Sequence, residues 1–431
     1  MEPPPSKSIK STHPLNDAKV LDTSPIVSQQ PLFVDSTFPQ DEALHVEGIK
    51  WKRPKVCNCW FLSAVACLSL YPQLLEQVMP MEQDFGDGYN GKFRFQFWQY
   101  GRWVEVVVDD LLPTVPTLQN GKPHYTLLFV HSKDKAEFWS SLLEKAYAKL
   151  KGGYSALQMG FAGEALEDMT GGLVQSSNTS CPASELWKHL DNMLQKGALI
   201  CCGNTQGEVE TSNLMGILSH HMYSVTATKE IQTIQGPVSL LRVRNPWGHT
   251  EWIGPWRDGI AVEDFKENFQ FLEICHLGPQ SLLEIDGVAK PWDYKMYEGR
   301  WVKGLSAGGS PTSDYFWMNP QFSLTLPGND DDNDLCCFIV SVMQKHQRLR
   351  RATQRVACQI FKVDDPHAYL LQDQLHSPQP LLSAGPCANH REVVICSSLP
   401  PGRYIIIPSL EDCSEGEFLV RVLTEKENLT R

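Results

Sequence analysis

A cysteine, Cys59, opens a run of small and apolar residues that extends with few interruptions to Tyr71 and Pro72. The run CWFLSAVACLSL has such residues on nearly every face of a helix, which predicts a buried helix followed by a second, amphipathic one. At a helix start, the unpaired backbone N–H groups and the helix dipole stabilise negative charge and lower the pKa of a thiol. Position 59 can therefore carry a reactive thiolate, but for this residue taken alone a buried structural cysteine is the favoured interpretation.

The chain then changes from a mainly helical to a mainly extended pattern near residue 198. The periodic segments are residues 93–97, 104–108, 137–150, 183–196, 199–202, 222–226 and 240–244. The first two, on either side of Tyr100 and Gly101, predict a hairpin, the next two predict helices ended by glycine, and the last three predict strands. A helical half followed by a β half predicts an α+β core with a cleft between two unlike lobes.

The C-terminal third has short strands at regular spacing, punctuated by turns such as Pro400-Pro401-Gly402. The predicted strands are residues 322–326, 337–342, 357–361, 393–396, 404–407 and 418–422. This pattern predicts an antiparallel β-sandwich. The domain prediction is then a flexible N-terminal arm over 1–45, a core over 46–280 and a sandwich over 290–431. The core divides into a helical lobe at about 46–170 and a β-rich lobe at about 171–280.

A histidine and an asparagine lie at the ends of predicted strands in the β-rich lobe. His221, in SHHMYSVT, begins a strand from which its imidazole can face the helix start across the cleft and act as a base. Asn245, in VRNPWG, follows a strand that Pro246 stops, and its amide can orient the imidazole. Trp247 would shield that hydrogen bond from water.

The order of these residues along the chain matches a known catalytic arrangement. Cys57-Asn58-Cys59-Trp60 is close to the papain-type pattern around a nucleophilic cysteine. A cysteine far upstream, followed by a histidine and then an asparagine, fits the Cys-His-Asn variant of the catalytic triad. Acyl transfer of the transglutaminase type also uses cysteine and histidine, but the Asn-Pro-Trp element speaks against it.

Composition excludes some functions. The net charge of -12 argues against nucleic acid as a partner, because phosphate binding needs clustered Lys and Arg, and makes divalent cations the more natural counter-charge. The 13 cysteines are odd in number and scattered, which favours reduced thiols in the cytosol over a disulfide framework. Residues 1–16 lack the apolar segment of a secretory signal, so we expect a cytoplasmic protein.

Several longer segments resemble the protease core of calpains, which are cytosolic, calcium-dependent thiol endopeptidases. These segments are CWFLSAVACLSL, FRFQFWQYGRWVEVVVDD, EFWSSLLEKAYAKLKGGY, EDMTGGL, HMYSVT and RVRNPWGHTEWIGPWRD. The region after residue 292, with GRW, AGG, FWMNP, an acidic stretch and PGRY, is similar to the calpain-type, C2-like β-sandwich. The resemblance implies a papain-like two-lobed core, limited proteolysis of intracellular proteins, and Cys59, His221 and Asn245 as the triad.

The resemblance also implies roles for other residues. Trp60 and Trp247 match residues at the substrate cleft, and Trp247 takes the place of a gating tryptophan that moves when calcium closes the cleft. Glu137 matches a ligand of the family's first core calcium site, while Glu251 and Asp258 match two ligands of the second. Calcium is therefore the expected cofactor, bound at incomplete sites. Protein substrates are the expected partners, and phospholipid could contact the sandwich through the basic stretch 345–355.

The chain departs from the family at two places in the core. A segment before Cys57 is missing, so that Arg53 stands where the family has the glutamine that donates to the oxyanion. Losing one oxyanion donor costs about a hundred- to a thousandfold in turnover. A second gap follows Asp258, and no EF-hand loop occurs in the sequence, so we expect no heterodimer with an EF-hand small subunit. The alternative function is therefore a truncated, catalytically impaired calpain-like regulatory or binding protein.

Overall fold

The structure is a computed structural model of the 431-residue chain. It describes residues 33–38, 58–86, 88–119, 122–132, 134, 137–158, 160–209, 211–248, 252–256, 258–278, 292–327, 335–345, 354–364, 369–370, 379–387 and 390–425. Most of the predicted N-terminal arm, the segment 46–57 before the candidate nucleophile, and the connection 279–291 lie outside the described residues. No helix in the described ranges is long and apolar enough to cross a bilayer.

The first lobe is built from four helices and two hairpins. Its helices are α1 (Cys59–Leu68), α2 (Pro72–Val78), α3 (Trp139–Lys151) and α4 (Ala162–Thr170), with a 3-10 turn at Tyr154–Leu157. Its strands are β1 (Lys92–Gln99), β2 (Arg102–Asp109), β3 (Thr114–Gln119) and β4 (Lys122–Leu127). The helix α1 is buried along nearly its whole length, as its apolar sequence predicts.

The predicted hairpin is confirmed. Strands β1 and β2 are antiparallel, with Phe93 opposite Val108 and Phe97 opposite Val104. The two turn residues have positive φ angles, 50° at Tyr100 and 95° at Gly101. A two-residue turn of this kind matches the twist of the flanking strands, which explains why the glycine is needed there.

The second lobe is a six-stranded antiparallel sheet flanked by two helices. Its strands are β5 (Leu173–Asn178), β6 (Leu199–Asn204), β7 (His221–Thr233), β8 (Gly236–Arg244), β9 (Ile260–Ala261) and β10 (Phe271–His276), in the spatial order β5-β10-β6-β7-β8-β9. Its helices are α5 (Ala183–Gln195) and α6 (Val262–Asn268). Helix α1 lies against the face of this sheet at β6 and β7, so that the two lobes meet along the helix that carries Cys59.

The C-terminal region is a β-sandwich of two four-stranded antiparallel sheets. Its strands are β11 (Trp292–Trp301), β12 (Phe322–Leu326), β13 (Cys336–Gln344), β14 (Val356–Val363), β15 (Leu382–Cys387), β16 (Glu392–Leu399), β17 (Gly402–Leu410) and β18 (Gly416–Glu425). The sheets have the orders β11-β18-β13-β16 and β12-β17-β14-β15. The α+β core followed by an antiparallel sandwich confirms the predicted fold class.

A buried ion cluster joins the sandwich to the first lobe. Arg421 of β18 donates hydrogen bonds to the carbonyl oxygens of Gly171 and Gly172, both at 3.0 Å, and to the carboxylates of Glu167 and Glu392. Arg421 is fully buried. Because a buried guanidinium needs several acceptors to offset its lost hydration, this cluster fixes the position of β18 against the C-terminal end of α4.

One part of the predicted flexible arm is held against the first lobe. The Asp35 carboxylate accepts a hydrogen bond from Lys149 at 2.6 Å, and the Asp35 N–H donates to the Asp109 carboxylate at 2.7 Å. Phe38 is buried nearby. Little fixed structure was expected over 1–45, but residues 33–38 are held against the first lobe. The ion pair between the buried Asp35 carboxylate and Lys149 stabilises this segment, although its sequence shows only weak periodicity.

Candidate active site

Cys59 lies at the first position of α1, as predicted, and is buried with 6% of its surface exposed. The helix start therefore directs its positive end toward the thiol, which favours the thiolate. The side chain of the preceding residue, Asn58, makes no capping hydrogen bond to the helix.

The imidazole of His221 is held by Asn245. His221 is the first residue of β7, and Asn245 comes directly after the last residue of β8, its antiparallel neighbour. The ring Nε2–H donates to the Asn245 Oδ1 at 3.0 Å, because an amide oxygen can only accept. The same oxygen accepts a hydrogen bond from the backbone N–H of Trp247 at 3.0 Å. With the proton on Nε2, the basic nitrogen of the neutral ring is Nδ1.

Two aromatic side chains enclose the imidazole. The centroid of the Trp247 ring system lies 4.5 Å from that of His221, and the Tyr223 ring lies 5.0 Å away, both edge to face. His221 is only 1% exposed. This enclosure keeps water from competing for the His221–Asn245 hydrogen bond, which is the role that the sequence predicted for Trp247.

A hydrogen bond between the lobes joins α1 to β7. The Ser224 hydroxyl donates to the Ser63 carbonyl oxygen at 3.0 Å, one helical turn after Cys59 and three residues after His221. Burial raises the pKa of Tyr223 to about 12, with smaller contributions that include the charge of a Cys59 thiolate.

His220 adopts a backbone conformation that is uncommon for its residue type. Its φ angle is 52°, and among the described non-glycine residues only His220 and Tyr100 have positive values. Its ring Nε2 is 3.0 Å from the Gly207 carbonyl oxygen. Left-handed conformations of non-glycine residues cost free energy and occur often at functional sites. The sharp turn at His220 sets the direction in which His221 enters the strand.

Trp60 does not line a cleft. Its indole N–H donates to the Leu157 carbonyl oxygen at 2.9 Å, its ring packs edge-on against Tyr147, and only 1% of its surface is exposed. A Cβ atom at Gly160 would approach the Trp60 ring to 2.6 Å. The prediction of a substrate-cleft position for Trp60 is thus corrected, because this large ring is absorbed into the core and anchors the start of α1.

Glu144 is a polar contributor to the site that sequence reasoning missed. The Asn58 amide donates to Oε1 of Glu144, and the Val130 N–H donates to Oε2 at 2.9 Å. Burial raises the pKa of Glu144 to about 7, although both donors act in the opposite direction. The sequence pattern predicted a helix over 137–150 without a role for Glu144, and the structure shows that this helix is buried on several sides. The sequence signal for a buried polar role at this position was a charged residue placed between the apolar residues Leu143 and Tyr147.

The calcium ligands that the resemblance implies lie only partly within the described residues. The Glu137 carboxylate accepts a hydrogen bond from the Ser132 hydroxyl at 2.7 Å, and Asp258 is exposed. Within the described ranges, no three His, Cys, Asp or Glu side chains form a group that could hold a metal ion. Calcium prefers six to eight oxygen ligands. Glu251 and Arg53, the latter predicted at the oxyanion position, lie outside the described residues.

The site thus combines a thiol at a helix start with an imidazole that an amide orients, between two unlike lobes. This constellation defines the class of papain-type cysteine proteases. Residues 37–262 match the family described as calpain family cysteine protease, and residues 297–423 match the calpain large subunit, domain III. The chain belongs to the calpain family.

Individual relatives agree with this assignment. The chain is 37% identical over 409 residues to calpain-9 of Homo sapiens, covering 87% of this chain and 58% of that protein. It is 37% identical over 448 residues to the calpain-1 catalytic subunit of Mus musculus, with coverages of 88% and 61%. It is 35% identical over 446 residues to the calpain-2 catalytic subunit of Homo sapiens, with coverages of 88% and 62%. The chain therefore spans about three fifths of the length of these relatives.

Proposed function

We propose that this chain is a cysteine-type endopeptidase that cleaves intracellular proteins at a limited number of sites, with Cys59, His221 and Asn245 as its triad. The observation that carries the proposal is the 3.0 Å hydrogen bond from His221 to Asn245. The position of Cys59 at the start of α1, the helix that packs on the same sheet, supports it. Family membership supports the same reaction class.

In the proposed reaction, His221 Nδ1 takes the proton of the Cys59 thiol, and the thiolate attacks the carbonyl carbon of a peptide bond. The protonated imidazole then gives its proton to the leaving amine, and water hydrolyses the thioester with His221 acting as base. Asn245 acts as a positioning residue, because it holds the ring so that Nδ1 remains the basic nitrogen throughout.

Cleavage of an unfolded protein tests this proposal. Denatured casein should yield discrete fragments with the wild-type chain and none with Cys59→Ala, whose far-ultraviolet circular dichroism should match wild type. The assay is run with and without calcium. If folded wild-type protein yields no fragments under either condition, the endopeptidase proposal is contradicted. Fragments that persist in Cys59→Ala would assign the activity to a contaminant or to another residue.

Calcium dependence is a further part of the proposal, and it is supported by family membership and by the match at Glu137. The side chains in the described ranges do not themselves supply a complete ligand set, so no step of the reaction is routed through calcium. Calorimetric titration of calcium into the full chain tests this part. We expect heat of binding that Glu137→Gln reduces, and the absence of any binding heat would contradict it.

The proposal also includes a cytoplasmic location, protein substrates and contact with phospholipid through the sandwich. The location is supported by eleven cysteines of the described ranges that form no disulfide, as in proteins of reducing compartments. Co-sedimentation with vesicles containing phosphatidylserine tests the lipid contact. Equal sedimentation with neutral vesicles would contradict a role for the basic stretch.

A second candidate function is a catalytically impaired regulator that binds proteins without cutting them. The sequence feature that favours it is the missing segment before Cys57, where the family has its oxyanion glutamine. The two functions differ in one observation, because a regulator of this kind would bind an unfolded protein and leave it intact.

A further inference from the structure

Two buried thiols from different lobes meet behind the candidate site. Cys67 lies in the last turn of α1, and Cys201 lies in β6. Their Sγ atoms are 3.7 Å apart, although 134 positions separate them in the sequence. Both side chains are almost fully buried. The pair therefore spans the interface along which the helix of Cys59 packs on the sheet of His221.

The surroundings of the two thiols differ in a way that favours reaction between them. The Cys67 thiol donates to the Ile200 carbonyl oxygen at 3.4 Å, and the Ser63 hydroxyl donates to the Cys201 sulfur at 3.6 Å. The hydrogen bond from Cys201 lowers the pKa of Cys67, against the effect of burial. Burial raises the pKa of Cys201 well above its usual value. The two sulfur atoms are in direct hydrogen-bond contact, and either can donate its proton to the other.

The neighbouring Cys202 is not part of this pair. Successive side chains of a strand point to opposite faces, and Cys202 packs with Leu190 and Ile274 in the core behind the sheet, while Cys201 packs with α1. Cys202 is thus a matched control, since it is equally buried and adjacent in sequence but faces away from Cys67.

We propose that Cys67 and Cys201 are a peroxide-sensitive pair that forms a disulfide between α1 and β6. The Cys67 thiol gives up its proton, the thiolate attacks one oxygen of hydrogen peroxide, and the O–O bond breaks to give a sulfenic acid and hydroxide. The hydroxide takes up the proton that the Cys67 thiol gave up and becomes the first water. The Cys201 sulfur then attacks the Cys67 sulfur, the S–O bond breaks, and the sulfenic oxygen leaves as a second water once the thiol proton is transferred. Two thiols are oxidised and one peroxide is reduced to two waters.

The geometry requires a modest movement. The sulfur atoms must approach from 3.7 Å to about 2.0 Å, the length of a disulfide bond. Because both thiols are buried, a small uncharged oxidant reaches them more readily than glutathione disulfide does. The bond would tie the helix of the candidate nucleophile to the sheet of the candidate base, and it would restrict the unfolded chain by closing a long loop.

The experiment uses the full chain carrying Cys59→Ala, so that its outcome is independent of protease activity. The folded protein is treated with hydrogen peroxide, free thiols are alkylated, and disulfide-linked peptides are identified by mass spectrometry. We expect a Cys67–Cys201 peptide that dithiothreitol removes, and a rise in the midpoint of thermal unfolding of roughly 5 °C or more. The Cys202→Ala variant should keep both effects, and Cys201→Ala should lose both.

Peroxide treatment that oxidises the exposed Cys396 and Cys413 while Cys67 and Cys201 remain alkylatable would overturn the proposal. A Cys67–Cys201 peptide that forms only after denaturation would also overturn it. If Cys201→Ala fails to fold, Cys67→Ser provides the second variant. Identification of the disulfide-linked peptide in the protein that keeps both Cys67 and Cys201 then still decides the question.

Discussion

The carboxamide of Asn245 holds the imidazole of His221 through a 3.0 Å hydrogen bond and is itself held by the backbone N–H of Trp247. The antiparallel pairing of β7 and β8 puts the two residues side by side, although 24 positions separate them in the sequence. A strand start and a strand end thus supply the two groups, and the helix of the other lobe supplies the thiol.

Removing the Asn245 amide should slow the reaction of Cys59 with an alkylating agent. In Asn245→Ala the ring can rotate and change its tautomer, so we expect the alkylation rate constant at neutral pH to fall roughly a hundredfold. Mass spectrometry of the Cys59 peptide over time provides the rate. Asn245→Asp keeps an acceptor for Nε2–H and should restore much of the rate. Equal rates for the alanine variant and wild type would contradict the positioning role.

The buried Glu144 should make stability depend on pH. Its pKa is raised by burial to about 7 in the folded chain, against 4.5 for an unperturbed glutamate. Between these values the folded state keeps a proton that the unfolded state has lost, so stability is fully present below about pH 4.5 and falls as the pH rises to about 7. The contribution of this one group is of the order of 3 kcal/mol.

Urea unfolding at pH 5 and pH 7 checks this expectation. Glu144→Gln cannot ionise, so its loss of stability between the two pH values should be smaller than that of wild type. Glu273, whose pKa burial also raises to about 7, is present in both proteins and does not affect the comparison. The same pH slope in Glu144→Gln and wild type would show that Glu144 is already ionised at pH 5.

Arg421 should be essential for joining the sandwich to the protease core. Arg421→Met leaves the buried carboxylate of Glu392 without its main partner, so we expect unfolding to become easier by about 3–5 kcal/mol. The matched control is Arg300→Met, because Arg300 and Glu417 form an exposed pair at 3.7 Å and should contribute less than about 1 kcal/mol. Chemical denaturation measures both, and equal effects would contradict the role of the buried cluster.

Gly160 should be required for the Trp60 ring to keep its position in the core. A Cβ atom at Gly160 would lie 2.6 Å from the indole ring, so Gly160→Ala must displace Trp60 and should cost about 1–3 kcal/mol. Gly278→Ala is the control, since a Cβ there meets no atom within 4 Å. Thermal unfolding and tryptophan fluorescence follow the change. An unaltered unfolding midpoint in Gly160→Ala would mean that the ring relaxes without cost.

The sequence predicted those elements whose hydrophobic pattern is local. The helix at Cys59, the hairpin around Tyr100 and Gly101, and all six strands proposed for the sandwich occur in the structure. Two sandwich strands were missed for physical reasons. Strand β11 is mostly exposed and charged along its middle, and β15 contains glycine and proline, so neither shows the usual alternation.

The candidate site was predictable only in part. Cys59, His221 and Asn245 each stand at the end of an element, where sequence signals are strong. The positions of Glu144 and Trp60 depend on how α1 and α3 pack together, which no local pattern contains. The prediction for Trp60 was therefore wrong, and the ion cluster around Arg421 was missed because its members come from α4, β16 and β18.

The central claim is that His221 activates Cys59, and covalent labelling tests it most directly. An epoxysuccinyl probe should modify Cys59 of the folded wild-type chain, as shown by mass spectrometry, and His221→Ala should slow this labelling by roughly a hundredfold or more. Labelling that is absent in folded wild type, or equally fast in His221→Ala, would contradict the account.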